Sequence, residues 1–149
     1  MEEVVQLFNQ HGVRYVVIGG QAVRLHGLPR FSMDWDFYVP PRDDANLEKI
    51  NRLLAAHLDI PLLPLGRLGE NFIQTYQTPA GILQFHLGGV GLPPFDDADA
   101  RAVTLADESG TPVRCLSGHD LLAAKLTSNR PQDQEDIRFL KKKQEFGSL

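Results

Sequence analysis

The sequence predicts a mixed α/β domain whose C-terminal part is helical. Short runs of β-branched and aromatic residues, such as residues 14–18 (RYVVI), alternate with stretches in which apolar residues recur at helical spacing. Glycine and proline residues separate these segments. The 149 residues are enough for one compact domain with its own core. We therefore expect a single domain over residues 1–143 and a disordered tail over residues 144–149.

The first 57 residues predict three helices and two strands. Val4, Val5 and Phe8 recur at helical spacing in the first helix, and Asp43 is a favourable N-cap for the third. In chain order, the predicted elements are helix 2–10, strand 14–18, helix 21–26, strand 34–39 and a helix from 43 to about 57. Helices and strands therefore alternate in this part of the chain.

The rest of the chain predicts a hairpin, a further strand and two C-terminal helices. Gly81 lies in a turn sequence between two strand-like runs, and Ser117 with Asp120 resembles a helix start. The predicted elements are strands 71–78 and 82–87, one or two helical turns over 95–102, strand 111–116, and helices 118–128 and 132–142. Residues 58–70 and 88–94 are expected to be loops. The expected sheet is small, mixed and flanked by helices.

The composition argues against several classes of protein. A net charge of −4 and a pI of about 5.7 disfavour broad nonspecific binding to nucleic acid, which needs a basic surface. A local basic groove can still form if the fold brings together Arg24, Arg30, Lys125 and Arg130. No apolar stretch approaches the roughly 20 residues that span a bilayer, and the acidic N-terminus does not resemble a secretory signal. We expect a cytoplasmic protein with no membrane partner.

Cysteine and histidine give no indication of a disulfide or a zinc site. The single cysteine, Cys115, cannot form an internal disulfide or a cysteine metal cluster. We predict no zinc because none of the histidines has metal-ligand spacing; they are His11, His26, His57, His86 and His119.

The motif Asp34-Trp35-Asp36 is the first candidate for chemistry. Side chains alternate between the two faces of a strand, so both carboxylates project to one side while Trp35 and Phe37 project to the other. Two close carboxylates repel each other unless a proton or a cation lies between them. Mg²⁺ is commonly bound by one or two carboxylates together with substrate phosphates. The alternative is a strand whose solvent face happens to be acidic.

The pair Gly19-Gly20 strengthens the interpretation of Asp34 and Asp36 as a functional site. It follows an apolar strand and opens a helix, where free backbone N–H groups favour a phosphate. Glycine also lets the backbone approach a ligand closely. By itself the pair could be an ordinary strand-to-helix turn. Together the two motifs place a phosphate-binding turn beside a metal site.

Two blocks of the sequence resemble the signature regions of the polymerase-β-like nucleotidyltransferase superfamily. The similarity is greatest to its small bacterial members, which include minimal nucleotidyltransferases and toxins of the abortive-infection type. The first block, 17–39, has an apolar strand, Gly-Gly, a short helix, Arg30, and Ser32 two places before D-x-D. The second block follows the order D-L-x-x-x-K, arginine, D-x-x-D-I, with Asp120, Leu121, Lys125, Arg130, Asp133, Asp136 and Ile137. The resemblance covers most of the chain and implies a nucleotidyltransferase fold.

The resemblance also implies the residues of a nucleotide site. Asp34 and Asp36 would hold Mg²⁺ or Mn²⁺. The residues that would bind the triphosphate are Gly19, Gly20, Arg30, Ser32 and Lys125. For Lys125 the alternative is an ordinary solvated lysine. Asp133 and Asp136 are interpreted as capping and packing residues rather than ligands.

The chain departs from the family pattern at one position of the predicted site. Active members have a third carboxylate on a neighbouring strand, and the expected strand, 82–87, contains no acid. By alternation Gln84 and His86 share the site face, so one of them takes that position. Glutamine cannot act as a base, whereas histidine titrates near neutral pH and can. The alternative for His86 is a neutral partner of a nearby carboxylate.

These observations leave three functions open. The first is a metal-dependent nucleotidyltransferase that moves an NMP from an NTP to a hydroxyl on protein, RNA or a small molecule. The second is a catalytically degenerate member that binds nucleotide or regulates a partner. The third is an interaction protein, such as one half of a toxin–antitoxin pair, in which the acidic pair is vestigial. The sequence does not specify the acceptor, the preferred base or the oligomeric state.

Overall fold

The computed structural model describes residues 1–147, which form a six-stranded mixed sheet and its surrounding helices. Among these residues, no helix is both long and apolar enough to cross a membrane. The elements are α1 (Glu2–Gln10), β1 (Val16–Ile18), α2 (Gly19–Leu25), β2 (Asp34–Tyr38), α3 (Asp44–Leu53), β3 (Ile73–Thr78), β4 (Gly81–His86), α4 (Phe95–Arg101), β5 (Val103–Ala106), β6 (Pro112–Cys115), α5 (Gly118–Ser128), a 3₁₀ turn (Pro131–Asp133) and α6 (Gln134–Glu145). The mixed α/β class is as predicted.

Strand β2 lies near the middle of the sheet, whose order is β3-β4-β2-β1-β6-β5. It pairs with β1 in antiparallel fashion and with β4 in parallel fashion. The hairpins β3-β4 and β5-β6 form the two edges. In this register Asp36 lies between Ile18 of β1 and Gln84 of β4. The sheet therefore brings both predicted motifs and the predicted hairpin strand to one place.

Phe37 is the centre of the core on one face of the sheet. Its ring is fully buried and lies 5.3 Å from that of Phe8 in α1 and 5.7 Å from that of Phe85 in β4, between ring centroids. Neighbouring residues of a strand point to opposite faces, and Tyr38 indeed packs against Phe95 of α4, at 5.3 Å. Helices α1 and α4 therefore cover opposite faces. Burial of Phe37 and Trp35 directs the two aspartates to the other face.

The N-caps predicted for two helices are present. The side chain of Asp43 accepts a hydrogen bond from the backbone N–H of Asn46, at 3.1 Å, at the start of α3. Ser117 accepts one from the N–H of Asp120, also at 3.1 Å, at the start of α5. Such caps satisfy backbone donors that the first helical turn leaves free. Helix α5 has the predicted bounds.

Several boundaries differ from those predicted. Helix α3 ends at Leu53 rather than near residue 57, and α2 begins at Gly19, so the two glycines belong to the helix rather than to a turn before it. Strand β5 was not predicted because it has four residues, exposed for the most part, on a sheet edge. Helix α6 continues to Glu145, past the predicted end at residue 142. Of the tail expected over residues 144–149, residues 148–149 lie outside the described part of the chain.

Candidate functional site

A cleft of about 340 Å³ opens on the sheet face that bears Asp34 and Asp36. The residues that the sequence predicted for the site all line it: Gly19, Gly20, Arg30, Ser32, Asp34, Asp36, His86 and Lys125. They come from α2, the segment before β2, β2, β4 and α5. The fold therefore gathers residues that lie up to about a hundred positions apart in the sequence.

The carboxylate of Asp36 contacts His86 through one oxygen and lies close to the backbone of Gly19 with the other. His86 Nε2 lies 2.8 Å from Asp36 Oδ1, and both side chains are 15% exposed. On the other side, a Cβ atom added to Gly19 would lie 2.6 Å from Asp36 Oδ2. A side chain at that position would therefore collide with the carboxylate, and the φ of +71° at Gly19 independently favours glycine. Gly19 thus allows the backbone to pass directly beside the acid.

Gly20 has a similar steric requirement toward the segment that precedes β2. A Cβ atom there would lie 2.9 Å from Ser32 Oγ and 3.2 Å from Arg30 Cζ. The segment that contains Ser32 is fixed in turn by Gln21, whose side-chain amide donates to the Ser32 carbonyl at 2.8 Å. The short spacing between the Gly-Gly motif and Arg30-x-Ser32 is therefore a packing requirement as well as a sequence pattern.

The strand register identifies which β4 residue lies beside the acidic pair. Gln84 is directly paired with Asp36 in the parallel β2-β4 ladder, and His86 is paired with Tyr38, two residues further along. Gln84 therefore lies where a third carboxylate would lie closest to Asp36. His86 reaches Asp36 diagonally through its ring nitrogen. This contact is the carboxylate-partner arrangement that the sequence left open for His86.

Three cations lie along the α5-α6 side of the cleft, where two buried aspartates hold them. Lys125 is 8% exposed, and its Nζ lies 3.2 Å from Asp133 Oδ1 and 3.1 Å from Asp136 Oδ2. Arg30 binds Asp136, which is 2% exposed. Lys125 is therefore not the solvated lysine of the alternative interpretation.

Arg130 completes this network through Asp133. Its Nε and Nη2 donate to the two oxygens of the Asp133 carboxylate at 2.9 and 3.0 Å. Burial alone would raise the pKa of Asp133, but hydrogen bonds from Arg130 and Ser128 and the charge of Lys125 outweigh it and hold the pKa well below its usual range. The hydrogen bond to Asp133 likewise raises the pKa of Arg130. Asp133 also caps the 3₁₀ turn by accepting a hydrogen bond from the backbone N–H of Arg130, whereas Asp136 only pairs with cations. Together the two aspartates fix the cations of the cleft.

The basic groove contains three of the four cations that the sequence suggested. Arg24 instead binds Glu108 and lies over the ring of Trp35, at 6.0 Å from its centroid. It is absent from the cleft because its position on α2 directs it away from the site face. Gln132, in the 3₁₀ turn before α6, also lines the cleft and was not predicted. No sequence motif marks it.

The donor atoms of the cleft fit a hard divalent cation. Asp34, Asp36 and Gln84 provide carboxylate and amide oxygens, the ligand type that Mg²⁺ and Mn²⁺ prefer. Within residues 1–147, no group of three or more acidic, histidine or cysteine side chains could hold a metal alone. This is the condition under which Mg²⁺ uses one or two carboxylates and completes its shell with water and phosphate oxygens.

Comparisons with known proteins agree with the architecture. No protein-family model matches the chain, and no curated protein sequence matches it significantly. A crystal structure of a Thermotoga maritima protein assigned as a nucleotidyltransferase is similar over 95% of this chain and 89% of that one, with a TM-score of 0.66 and 14% identity.

Two structures of the antibiotic-resistance factor ANT(2'')-Ia are also similar. The solution structure has a TM-score of 0.62 and 16% identity over 93% of this chain and 78% of that one. The crystal structure with adenylyl-2''-tobramycin has a TM-score of 0.58 and 14% identity over 92% of this chain and 83% of that one. The chain therefore has the polymerase-β-like nucleotidyltransferase fold, which confirms the fold that the two motifs predicted.

Removal of the Asp133 charge should destabilise the protein. Asp133→Asn leaves Arg130 without its carboxylate partner and Lys125 with Asp136 alone, and breaking a buried ion pair from one side costs up to about 3–5 kcal/mol. Urea unfolding measures the loss. The matched control is Glu48→Gln on the exposed side of α3, which should change the free energy of unfolding by no more than about 0.5 kcal/mol.

The difference in the free energy of unfolding between the wild type and Asp133→Asn should depend on pH in a definite direction. Because the pKa of Asp133 is lowered on folding, its stabilising effect is complete above the pKa of an unfolded aspartate, about 3.9, and is lost as the pH falls further. The difference between wild type and Asp133→Asn should therefore be constant near neutral pH and shrink below about pH 4. A difference that grows on acidification would contradict the assigned ion network.

Proposed function

We propose that the protein is a metal-dependent nucleotidyltransferase that transfers an NMP from an NTP to an acceptor hydroxyl. The observation that supports this most strongly is the convergence of Asp34 and Asp36 with Arg30, Lys125 and Arg130 on one cleft of a nucleotidyltransferase fold. A carboxylate pair beside fixed cations suits a substrate that has both a metal ion and a chain of phosphates. A small neutral ligand would need neither.

The charge balance of the site favours metal dependence. Four carboxylates and three cations lie in or beside the cleft. The carboxylates are those of Asp34, Asp36, Asp133 and Asp136, and the cations are Arg30, Lys125 and Arg130. The cations are therefore already neutralised by the protein, and Asp34 and Asp36 would repel an approaching triphosphate. A divalent cation removes that repulsion. We therefore expect the protein to bind NTP only weakly in the absence of Mg²⁺ or Mn²⁺.

The proposed reaction is an in-line displacement at the α-phosphorus. The acceptor oxygen forms a bond to this phosphorus, the bond to the oxygen that bridges to the β-phosphate breaks, and pyrophosphate leaves. Asp34 and Asp36 would hold Mg²⁺, which when bound neutralises phosphate charge and polarises the reacting phosphoryl group. Lys125, Arg30 and Arg130 would orient the phosphates of the donor and of the departing pyrophosphate.

The acceptor proton requires a base, and His86 is the candidate within the cleft. Its Nε2 lies against Asp36 Oδ1, and a base oriented by a carboxylate is a common catalytic arrangement. We propose that His86 donates its Nε2–H to Asp36 and accepts the proton of the acceptor hydroxyl at Nδ1, directly or through water. Gln84, although it lies beside Asp36, can orient the acceptor by hydrogen bonding but cannot remove its proton.

The proposal is tested by transfer of label from NTPs labelled at the α-phosphate. Each NTP is incubated with Mg²⁺, the protein and a cell extract, and labelled protein, RNA and small molecules are then separated. Asp34→Asn and Asp36→Asn should each lower transfer by about 100-fold or more, since loss of one group that stabilises transition-state charge costs about 10²–10³ in rate. Asp97→Asn, at an exposed position of α4, is the control and should transfer normally. Undiminished transfer by both site variants would refute the proposal.

A second function, nucleotide binding without catalysis, is favoured by Gln84. Because this residue supplies a neutral amide beside Asp36, the site has one negative charge fewer for a second cation. The protein would then sense nucleotide or regulate a partner protein, as in a toxin–antitoxin pair. Metal-dependent NTP binding without any detectable transfer by the wild type would favour this second function over the first.

A carboxylate at position 84 should strengthen the metal site. Gln84→Glu preserves size and adds a charge next to Asp36, so we expect the Mg²⁺ concentration needed for half-maximal NTP binding to fall roughly tenfold, equivalent to about 1.4 kcal/mol. Calorimetric titration of ATP at several Mg²⁺ concentrations measures this. Gln77→Glu, at an exposed position of β3, adds the same charge opposite Ile82 and should have little effect. An unchanged Mg²⁺ requirement in Gln84→Glu would show that position 84 does not face the metal.

A further inference from the structure

We propose that the protein forms a dimer in which the edge strand β3 pairs in antiparallel fashion with β3 of a second copy, so that the two six-stranded sheets become one. This inference concerns the edge of the sheet and does not depend on the proposed function. Strand β3 (Ile73–Thr78) has a partner on one side only, because it ends the sheet order β3-β4-β2-β1-β6-β5. An edge of this kind presents a row of free backbone N–H and C=O groups to another chain.

The register of the β3-β4 hairpin identifies the backbone groups that are free. In an antiparallel pair, residues that exchange hydrogen bonds alternate with residues that do not. The N–H of Leu87 donates to the Phe72 carbonyl, at 2.7 Å, and the ladder continues from there without a gap. Every second residue from Phe72 therefore bonds toward β4, and the residues between direct their N–H and C=O groups outward. These outward residues are Ile73, Thr75 and Gln77, and no loop backbone of residues 1–147 bonds to them.

The residues of β3 themselves do not protect this edge. Natural edge strands are commonly shielded by charged side chains, by proline or by a bulge. The sequence of β3, IQTYQT, has neither charge nor proline, and its pairs with β4 follow one another without a bulge. Thr75 and Gln77 are exposed, as is Ile73 at 42%. The edge is therefore open to a further strand.

One two-fold register satisfies all of the outward groups. With a two-fold axis at Thr75, this residue pairs with its own copy and Ile73 pairs with Gln77 of the second copy, so each outward residue meets another. A shift by two residues leaves one outward residue of each β3 without a partner in the other. Because β3 has no charged residue, self-pairing also places no like charges opposite one another. The edge is therefore complementary to itself, as a two-fold dimer requires.

The opposite edge of the sheet is less suited to self-pairing. The N–H of Asp107 donates to the Thr111 carbonyl, so the same alternation gives outward groups to Thr104 and Ala106 of β5. Strand β5 therefore offers two outward residues where β3 offers three. Charged residues also lie close to both of its ends, at Arg101 and Asp107. We therefore assign the contact to β3.

The dimer places the two clefts on the same face of the joined sheet. Thr75 is paired with Gln84, and Gln84 is paired with Asp36, so the three side chains share the face that bears the cleft. Pairing of Thr75 with its own copy keeps that face common to both subunits. The two Asp36 residues are then five strand spacings apart, roughly 24 Å at about 4.8 Å each. Both clefts are therefore accessible from one side of the dimer.

The state of association in solution tests the proposal. Sedimentation equilibrium of the wild type should give twice the monomer mass of 16.6 kDa. Thr75→Lys places two like charges directly opposite each other, so it should raise the dimer dissociation constant at least tenfold. Added salt should partly restore this dimer by screening the repulsion. Thr104→Lys is the matched control, since Thr104 is an exposed threonine with outward backbone groups on the other edge, and it should leave the constant unchanged.

Cross-linking tests the register and decides the question if Thr75→Lys does not fold. Opposed residues that exchange hydrogen bonds have Cα atoms about 5.5 Å apart, so a short bis-maleimide should join two copies of Thr75→Cys. Thr104→Cys should not be joined. The native thiol of Cys115 does not interfere, because it is buried and burial raises its pKa to about 12.

The outcomes that overturn the inference are distinct from those that test the proposed function. A wild type that sediments as a monomer would overturn it, whether β3 then pairs with another protein or with none. A dimer that Thr75→Lys weakens no more than Thr104→Lys would also overturn it, because another surface would form the contact. Cross-linking of Thr104→Cys but not of Thr75→Cys would assign the contact to β5 instead. None of these measurements uses a nucleotide, so failure of the proposed function leaves their results unchanged.

Discussion

The buried carboxylates of Asp133 and Asp136 are the constraint on which the site depends. An ionised group can remain in the interior only when it is paired and hydrogen-bonded. Both aspartates meet this requirement by binding cations from other segments, namely Lys125 of α5, Arg130 after it and Arg30 before β2. The same contacts therefore join the C-terminal helices to the strand that bears Asp34 and Asp36. The same ion network therefore contributes to the stability of the domain and fixes the positions of the cations that line the cleft.

A second constraint acts where the backbone at Gly19 lies against Asp36. Because no other residue fits there, the Gly-Gly motif and the D-x-D motif are sterically coupled. His86 holds the remaining oxygen of Asp36, so the carboxylate is oriented before any ligand arrives. Such preorganisation is what a metal-assisted transfer requires of the protein. The neutral amide of Gln84 is the feature that distinguishes this site from one with three acids.

Most of the fold could be predicted from local patterns in the sequence, whereas the cleft residues Arg30, Ser32 and Lys125 were predicted through the resemblance of two motifs to a known family. Strand alternation placed Asp34 and Asp36 on one face, and the Ser117 N-cap fixed the start of α5. The short edge strand β5 could not be predicted, because strand pairing depends on tertiary contacts. The position of Arg24 outside the cleft could not be predicted either, because the direction of a helix also depends on tertiary contacts. The same reason explains why the choice between Gln84 and His86 needed the β2-β4 register.

The most direct test of the central claim is the location of a divalent cation in crystals. Crystals grown with Mn²⁺ and a non-hydrolysable ATP analogue would show the metal by its anomalous scattering. The account predicts a peak coordinated by both Asp34 and Asp36, with phosphate oxygens completing the shell. A peak elsewhere with the analogue bound, or the analogue bound without any metal between it and these two carboxylates, would contradict it.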